Sequence, residues 1–159
     1  MTSDVLIIGG GVIGLSIARE LRRRNAGRIV VLEKGTCAGE ASWAAAGMLS
    51  PAVHTIQADG FYSLCRASSD MYLPLAAELL DETGIDIALD RTGTLDVAFG
   101  EEDGQRLLEK YSKQVAAGIA VKTLSLEDVL RIEPELSSTI TFAAFYPNDW
   151  QVENRKLLA

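Results

Sequence analysis

Hydrophobic and polar positions change their spacing twice within the first 33 residues. Val5–Ile8 is a continuous apolar run, which is typical of a parallel strand buried on both faces. From Ile13 to Leu21 the apolar residues recur every fourth position, which indicates a helix. Ile29–Leu32 is a second apolar run, and Glu33 follows it. The pattern therefore predicts a strand, a helix and a second, parallel strand.

The middle of the chain has a different pattern. Residues 61–83 are amphipathic with helical spacing, so we expect a helical stretch that Pro74 kinks or divides and whose apolar stripe lies in the core. Apolar and polar residues alternate over 85–99, which predicts two strands joined by a turn. A helix over 101–117, and strands over 121–124 and 139–146, complete an antiparallel α+β module.

Composition narrows the possible partners. The net charge of −7 argues against nucleic acid and against an anionic membrane surface. No apolar run approaches the ~20 residues of a membrane span. Cys37 and Cys65 have no metal-binding or redox spacing, so a reduced cytoplasmic setting is expected. His54, the only histidine, is expected on the surface or in packing rather than in catalysis.

Candidate chemistry begins at the turn after the first apolar run, where residues 9–14 read G-x-G-x-x-G. Gly9 allows a tight turn, Gly11 lets a pyrophosphate approach the backbone, and Gly14 lets the helix pack close to the sheet. The N–H groups near Val12 and Ile13 would face the phosphates at the positive end of the helix dipole.

Glu33 follows the turn at about the 20-residue spacing of an acid that accepts hydrogen bonds from an adenosine ribose. Together, the glycine turn and this acid predict dinucleotide binding but do not distinguish FAD from NAD.

The loop over residues 34–49 is rich in glycine and alanine. Small residues suit a backbone that lies against a large flat ring. The alternative is a short alanine-rich helix without special function.

The glycine turn, Glu33 and the run Glu40–Leu49 together resemble the FAD-dependent amine oxidases of the D-amino-acid oxidase superfamily. Within it they most resemble the glycine-oxidase branch of thiamine (thiazole) biosynthesis. Thr92–Leu95 and Asp149–Val152 also fall in family-like order, so the resemblance spans the whole chain, yet it covers less than half of a typical member.

The resemblance implies an α/β fold. A Rossmann-like FAD-binding domain (ββα/βαβ) would carry an inserted antiparallel α+β portion of a substrate domain, and the chain would be an incomplete fragment of that fold. Residues 1–84 would begin the FAD-binding domain, 85–150 would be part of the substrate domain, and 151–159 would start the helix that returns to the FAD-binding domain.

The resemblance also implies roles for the site residues. Trp43 is interpreted as packing rather than stacking on flavin. No residue of the chain is assigned to catalysis or to a metal. The cofactor-binding residues are those of the glycine turn (Gly9, Gly11, Val12, Ile13, Gly14), those at the ribose (Glu33, Lys34), those near the phosphates and ribityl chain (Ala41, Ser42) and those lining the isoalloxazine (Ala46, Gly47, Met48).

The implied activity is oxidation of glycine or a similar small amine to the imine by FAD and oxygen, with release of hydrogen peroxide. Two alternatives remain open. One is an FAD-dependent amino-acid dehydrogenase of the same superfamily. The other is a non-catalytic fragment that binds FAD weakly or not at all and whose open sheet edge favours self-association, giving a possible homo-oligomer.

Overall fold

The computed structural model describes residues 2–159, and the chain divides into two compact units. The first comprises Met1–Gly47 with Glu153–Ala159, and the second is Met48–Val152. These units are defined by the compactness of the fold and not by which residues bind the cofactor or the substrate. The domain boundaries predicted from the resemblance (1–84, 85–150 and 151–159) therefore stay predictions. In chain order the elements are β1 (Val5–Ile8), α1 (Val12–Arg23), β2 (Ile29–Leu32), α2 (Ala41–Ala44), β3 (Met48–Leu49), α3 (Gly60–Asp70), α4 (Tyr72–Thr83), β4 (Thr94–Phe99), α5 (Glu101–Ala116), β5 (Lys122–Thr123), α6 (Leu126–Ile132), β6 (Ile140–Tyr146), β7 (Trp150–Gln151) and α7 (Asn154–Leu157).

The first unit is built on the predicted strand, helix and strand. β1 and β2 are parallel and pair from Val5 with Ile29 to Ile8 with Leu32. Helix α1 connects them and packs against both strands. The order of apolar runs and helical spacing in the sequence is therefore the order of elements in the structure.

Burial on both faces, however, is a wrong expectation for β1. Its residues alternate between half-buried and exposed, and Ile8 is 84% exposed. A parallel strand is buried on both faces only when helices or loops cover both. Within residues 2–159, the elements supply cover to one face of this strand and leave Leu6 and Ile8 open.

The second unit has an antiparallel sheet in the order β4–β6–β5. β4 pairs with β6 from Thr94 with Tyr146 to Phe99 with Ile140, and α5 packs on both strands. The antiparallel α+β module predicted over this region is confirmed. Its core consists of Ala52, Val53, Ala98, Leu107, Ile119, Ala144 and Tyr146.

A second, two-stranded sheet joins the two ends of this unit. β3 and β7 are antiparallel and pair Met48 with Gln151 and Leu49 with Trp150. Gln151 also forms an isolated bridge with Asp90. This bridge is the only strand pairing found over 85–90 in the described chain, so the first of the two strands predicted there is wrong. Ala88 has φ +51°, which breaks an extended backbone at that point.

The amphipathic stretch over 61–83 forms two helices that divide at Met71. Pro74 lies in the first turn of α4, where a missing N–H costs no intrahelical hydrogen bond. Asp59 caps α3 by accepting a hydrogen bond from the Tyr62 N–H, and Gly84 ends α4 in the left-handed conformation.

Core placement of that apolar stripe is wrong for several of its members. Phe61 is 74% exposed, Leu64 67% and Leu80 49%. Helical spacing identifies the apolar face of a helix but does not identify what covers it.

Candidate functional site

The glycine turn between β1 and α1 has the geometry that its sequence predicts. Gly9 adopts φ +103°, a region that side-chain-bearing residues rarely enter. A Cβ at Gly14 would overlap the carbonyl oxygen of Gly9 and lie 3.3 Å from Cγ2 of Ile7. Close packing of α1 on β1 therefore requires glycine at position 14.

The N-terminus of α1 is extended at Gly11 and helical from Val12. The Val12 N–H donates to Oγ of Ser42 at 3.1 Å, and a Cβ at Gly11 would lie 3.2 Å from the same oxygen. Because the Ser42 oxygen is the acceptor there, its own O–H can still donate to an anion. The structure thus brings Ser42, 30 residues away in the chain, to the positive end of this helix.

Glu33 has a role that its spacing alone does not reveal. Its Oε2 accepts from the Gly10 N–H at 2.8 Å and its Oε1 from the Gly35 N–H at 3.0 Å. These backbone hydrogen bonds, that of Gly10 foremost, lower the pKa of the Glu33 carboxyl below its ordinary value. Each oxygen keeps a further lone pair, so an ionised Glu33 can order the turn and still accept from a ribose hydroxyl.

Gly10 is a functional position that the motif analysis missed, since it is the variable residue of G-x-G. A Cβ there would lie 2.8 Å from Sγ of Cys37 and 3.3 Å from Cβ of Glu33. Its carbonyl accepts from the Ala38 N–H at 2.8 Å. The signal in the sequence is a run of three consecutive glycines with Gly10 in the middle. Cys37 forms part of the wall of this turn.

The loop after Glu33 is ordered by contacts from within the first unit. Lys34, expected at the ribose, forms an exposed ion pair with Glu40 at 3.1 Å. Asn154 donates from Nδ2 to the carbonyls of Ser42 at 2.7 Å and Trp43 at 3.1 Å. Asn154 of α7 therefore holds α2, the short alanine-rich helix named above as the alternative for this loop, and this contact was not predicted.

Trp43, interpreted as packing rather than stacking on flavin, contacts Arg155 of α7, and the interpretation stays a prediction. Its ring lies 4.9 Å from the Arg155 guanidinium carbon and is 48% exposed. Met48 differs from the other predicted site residues, since it lies in the second unit, on β3, and is 53% exposed.

The structure thus brings together Gly9, Gly11, Val12, Gly14, Glu33 and Ser42. Ala41, Ala46 and Gly47 follow within the same unit. A turn that excludes side chains, a helix N-terminus with a hydroxyl beside it and a carboxylate at the end of β2 fit the pyrophosphate and ribose of a dinucleotide.

No group of three or more His, Cys, Asp or Glu side chains that could hold a metal ion occurs in residues 2–159. Within the same residues, no helix combines the length and the apolar character needed to cross a membrane.

Comparison with known proteins agrees with this geometry. A glycine oxidase of Geobacillus kaustophilus is 38% identical over 157 residues, which cover 98% of this chain and 41% of that protein. A bifunctional protein ThiO/ThiG of Synechocystis is 34% identical over 99% of this chain and 22% of its own length. The crystal structure of the Geobacillus glycine oxidase superimposes with a TM-score of 0.90 and 37% identity over 98% of this chain and 42% of that one.

The chain thus spans about two fifths of the length of the glycine oxidases it matches. The mixed α/β fold with a Rossmann-like beginning is confirmed by the superposition. The family described as DAO, FAD dependent oxidoreductase, matches residues 4–159. Since that match covers nearly the whole chain, the chain belongs to the FAD dependent oxidoreductase family, whose cofactor is FAD.

Proposed function

We propose that this chain forms the nucleotide-binding part of an FAD-dependent amine oxidase that converts glycine, or a similar small amine, to the imine. In this reaction two electrons and two protons leave the amine and are delivered to oxygen, which gives hydrogen peroxide. Bound FAD supplies the acceptor for the two electrons. The observation that carries the proposal is the contact set around α1, in which Ser42 and Glu33 flank the glycine turn in a chain of this family.

The same contacts support the site roles that the resemblance implies. The Ile13 N–H is assigned to the pyrophosphate at the N-terminus of α1. The Val12 N–H donates to Oγ of Ser42, so Val12 would act on the pyrophosphate through the Ser42 hydroxyl. Glu33, kept ionised by its backbone hydrogen bonds, accepts from the ribose, with Lys34 next to it. Ala41 extends the phosphate and ribityl contacts.

Ala46, Gly47 and Met48 are assigned to the isoalloxazine by their main chain. Gly47 has φ +74°, so the chain turns there in a way that side chains disfavour. A stretch of small residues lets a backbone lie against the ring, and its N–H groups can then donate to the ring's acceptors.

The substrate and its use belong to the proposal as well. Glycine is supported by the similarity to glycine oxidases, and synthesis of the thiazole of thiamine by the resemblance to that branch together with the match to the ThiO/ThiG protein. A cytoplasmic location is supported by the free cysteines Cys37 and Cys65.

The test is to express the protein that contains this chain, record its absorbance in the flavin bands, and measure peroxide release with glycine and sarcosine. We expect bound flavin and peroxide formed in proportion to the amine consumed. Flavin reduction by the amine with electrons passed only to an added dye would indicate the dehydrogenase alternative. A protein that takes up no flavin would overturn the proposal.

A further inference from the structure

The turn at residues 52–55, just after β3, is held by a fully buried carboxylate. Oδ1 of Asp149 accepts from the Ala52 N–H at 3.1 Å, and Oδ2 accepts from the Val53 N–H at 2.8 Å. Asp149 is 0% exposed. Both oxygens of one side chain therefore fix two successive backbone groups that lie nearly 100 residues earlier in the chain.

A second buried side chain holds the carbonyl groups of the same turn. Nε2 of Gln114, on α5, donates to the Ala52 carbonyl at 2.9 Å and to the Thr55 carbonyl at 2.6 Å. Its Oε1 accepts from the Tyr146 hydroxyl at 2.9 Å. Gln114 and Tyr146 are both 0% exposed, so the network lies away from water and its polar groups satisfy one another. We call Asp149, Gln114 and Tyr146 the turn clamp.

The turn clamp lies beside a very short ladder. β3 and β7 share only two residue pairs, and the pair of Leu49 with Trp150 is next to Asp149 in the chain. A two-stranded ladder is marginal by itself, and a slip of one residue would turn every side chain of β3 to the opposite face. The bond from Asp149 to Ala52 closes the ladder at this end and excludes such a slip.

The backbone around Asp149 is itself anchored. The Thr94 hydroxyl donates to the Asp149 carbonyl at 3.4 Å, and Arg66 donates to the Asn148 carbonyl at 2.7 Å. Met48, Ser50 and Trp150, which flank the clamped turn, line a cavity of about 360 Å³ in the second unit. The clamp therefore adjoins one wall of this cavity and holds the segment that follows β3.

The carboxylate is a costly way to stabilise a turn. Burial raises the pKa of the Asp149 carboxyl above its ordinary value, although the N–H groups of Val53 and Ala52 and the charge of Arg66 act in the opposite direction. An ionised group in this place gains little stability from its surroundings. What it supplies is a fixed geometry for two N–H groups, which a hydrophobic residue could not provide.

We propose that Asp149, through the turn clamp, is a positioning residue of the cofactor site: it fixes the course of Met48–Val53, and the affinity for FAD depends on it. This inference rests on the proposed function, which assigns Met48 to the flavin ring. Asp149 touches no reacting atom and acts through the backbone that it holds.

The test is the variant Asp149→Asn in the protein that contains this chain. Asparagine keeps the shape but turns a donor toward one of the two N–H groups, so one hydrogen bond is lost. We expect FAD to bind roughly tenfold more weakly in a fluorescence titration. Hydrogen exchange of the apo protein should accelerate over residues 48–55 by about tenfold or more, with little change in α6.

Two variants serve as controls. Asp86→Asn makes the same change at an exposed carboxylate that accepts from the Ala88 N–H, and it should leave both readouts unchanged. Val129→Ala removes buried volume from α6 and should lower stability without weakening FAD binding. If Asp149→Asn does not fold, Tyr146→Phe loosens Gln114 more gently and should shift both readouts in the same direction.

Several outcomes would overturn the positioning role. Unchanged FAD affinity in Asp149→Asn would do so, as would an equal loss of affinity in Val129→Ala, since the effect would then follow stability alone. If the unaltered protein binds no FAD, the proposed function fails and the cofactor role of Asp149 fails with it. The exchange measurement on the apo protein still decides, separately, whether Asp149 holds the segment.

Discussion

At the residue scale, Gly14 is the glycine position that has least room for a side chain. A Cβ at this position would overlap the Gly9 carbonyl oxygen, a backbone atom that cannot move aside without opening the turn. We expect Gly14→Ala to lower the free energy of unfolding by about 1–3 kcal/mol, as overpacking does, and to weaken FAD binding. Urea unfolding and a flavin titration measure the two effects.

The chain offers a matched control for that substitution at Gly60. Gly60 lies in the first turn of α3, and a Cβ there would meet nothing within 4 Å. Gly60→Ala should be neutral or stabilising by up to about 1 kcal/mol, since alanine is the better helix former. Equal effects of the two variants would contradict a specific steric role for Gly14.

Glu33 predicts a pH dependence at the same scale. Its folded pKa is lowered chiefly by the Gly10 N–H, so its contribution to stability is present above the ordinary value of 4.5 and is lost as pH falls below that value. We expect Glu33→Gln to be less stable than the unaltered protein near neutral pH and to lose this difference in acid.

Urea unfolding measured at a series of pH values tests that expectation for Glu33. The exposed Glu109, changed to Gln in the same way, is the control and should leave the dependence unaltered. A Glu33→Gln difference that grows in acid would contradict the assignment.

The residues that the sequence did and did not reveal differ in one respect. Gly9 and Gly14 were predictable, because the steric needs of a strand-to-helix turn are local. Two other features depend on the loop that folds back after β2: the contact of Gly10 with Cys37 and the hydrogen bond from the Gly10 N–H to Glu33. Spacing indicated an acid at position 33 but not that its oxygens are already engaged by the backbone.

At the scale of elements, the strands and helices with strong internal patterns were predictable. β1, β2 and α5 begin at the residues where their patterns begin, and α1 begins one residue before its helical spacing. The ladder of β3 and β7 was not predictable, because each strand has two residues and exists only through a partner about 100 positions away. The alternation over 85–89 does not form a strand, because in the described chain only the neighbouring Asp90 pairs with another strand, through its bridge to Gln151.

Helix α7 was predicted only as the start of a helix, yet it makes a testable contact. Asn154 donates two hydrogen bonds to the carbonyls of α2, the helix that carries Ser42. We expect Asn154→Ala to lower the free energy of unfolding by about 1 kcal/mol and to weaken FAD binding, because Ser42 then loses its support.

Asn148→Ala is the control for Asn154, since the exposed Asn148 serves Arg66 through its backbone carbonyl, which the substitution keeps. Both variants are measured by urea unfolding, followed by tryptophan fluorescence, and by flavin titration. An Asn154→Ala protein with unchanged FAD affinity would show that α7 is dispensable for the position of Ser42.

At the scale of the whole molecule, composition by itself does not mark where one compact unit ends and the other begins. The loop rich in glycine and alanine over residues 34–49 continues past residue 47, and no change of composition marks residue 153, where the chain returns to the first unit. The exposure of Leu6, Ile8 and Ile13 was equally hidden, because an apolar run carries no information about the elements that cover it. Local pattern thus predicts the helices and strands, whereas the burial of their apolar residues depends on which other elements pack against them.

Charge distribution gives the last prediction. The chain carries a net charge of −7, whereas the proposed ligand is an anion whose pyrophosphate faces the positive end of α1. Repulsion by the net charge acts over the Debye length and is screened by salt, whereas the hydrogen bonds at the turn act at contact. We therefore expect FAD to associate a few-fold faster as NaCl is raised from about 0.05 to 0.5 M, with little change in its dissociation rate. Stopped-flow quenching of flavin fluorescence measures both rates.

Glu101→Gln with Glu102→Gln removes two negative charges from the exposed start of α5, so this variant should associate faster with FAD at low salt and respond less to NaCl. Association that slows with salt would instead show that local positive charge, rather than the net charge of the chain, governs the approach of FAD.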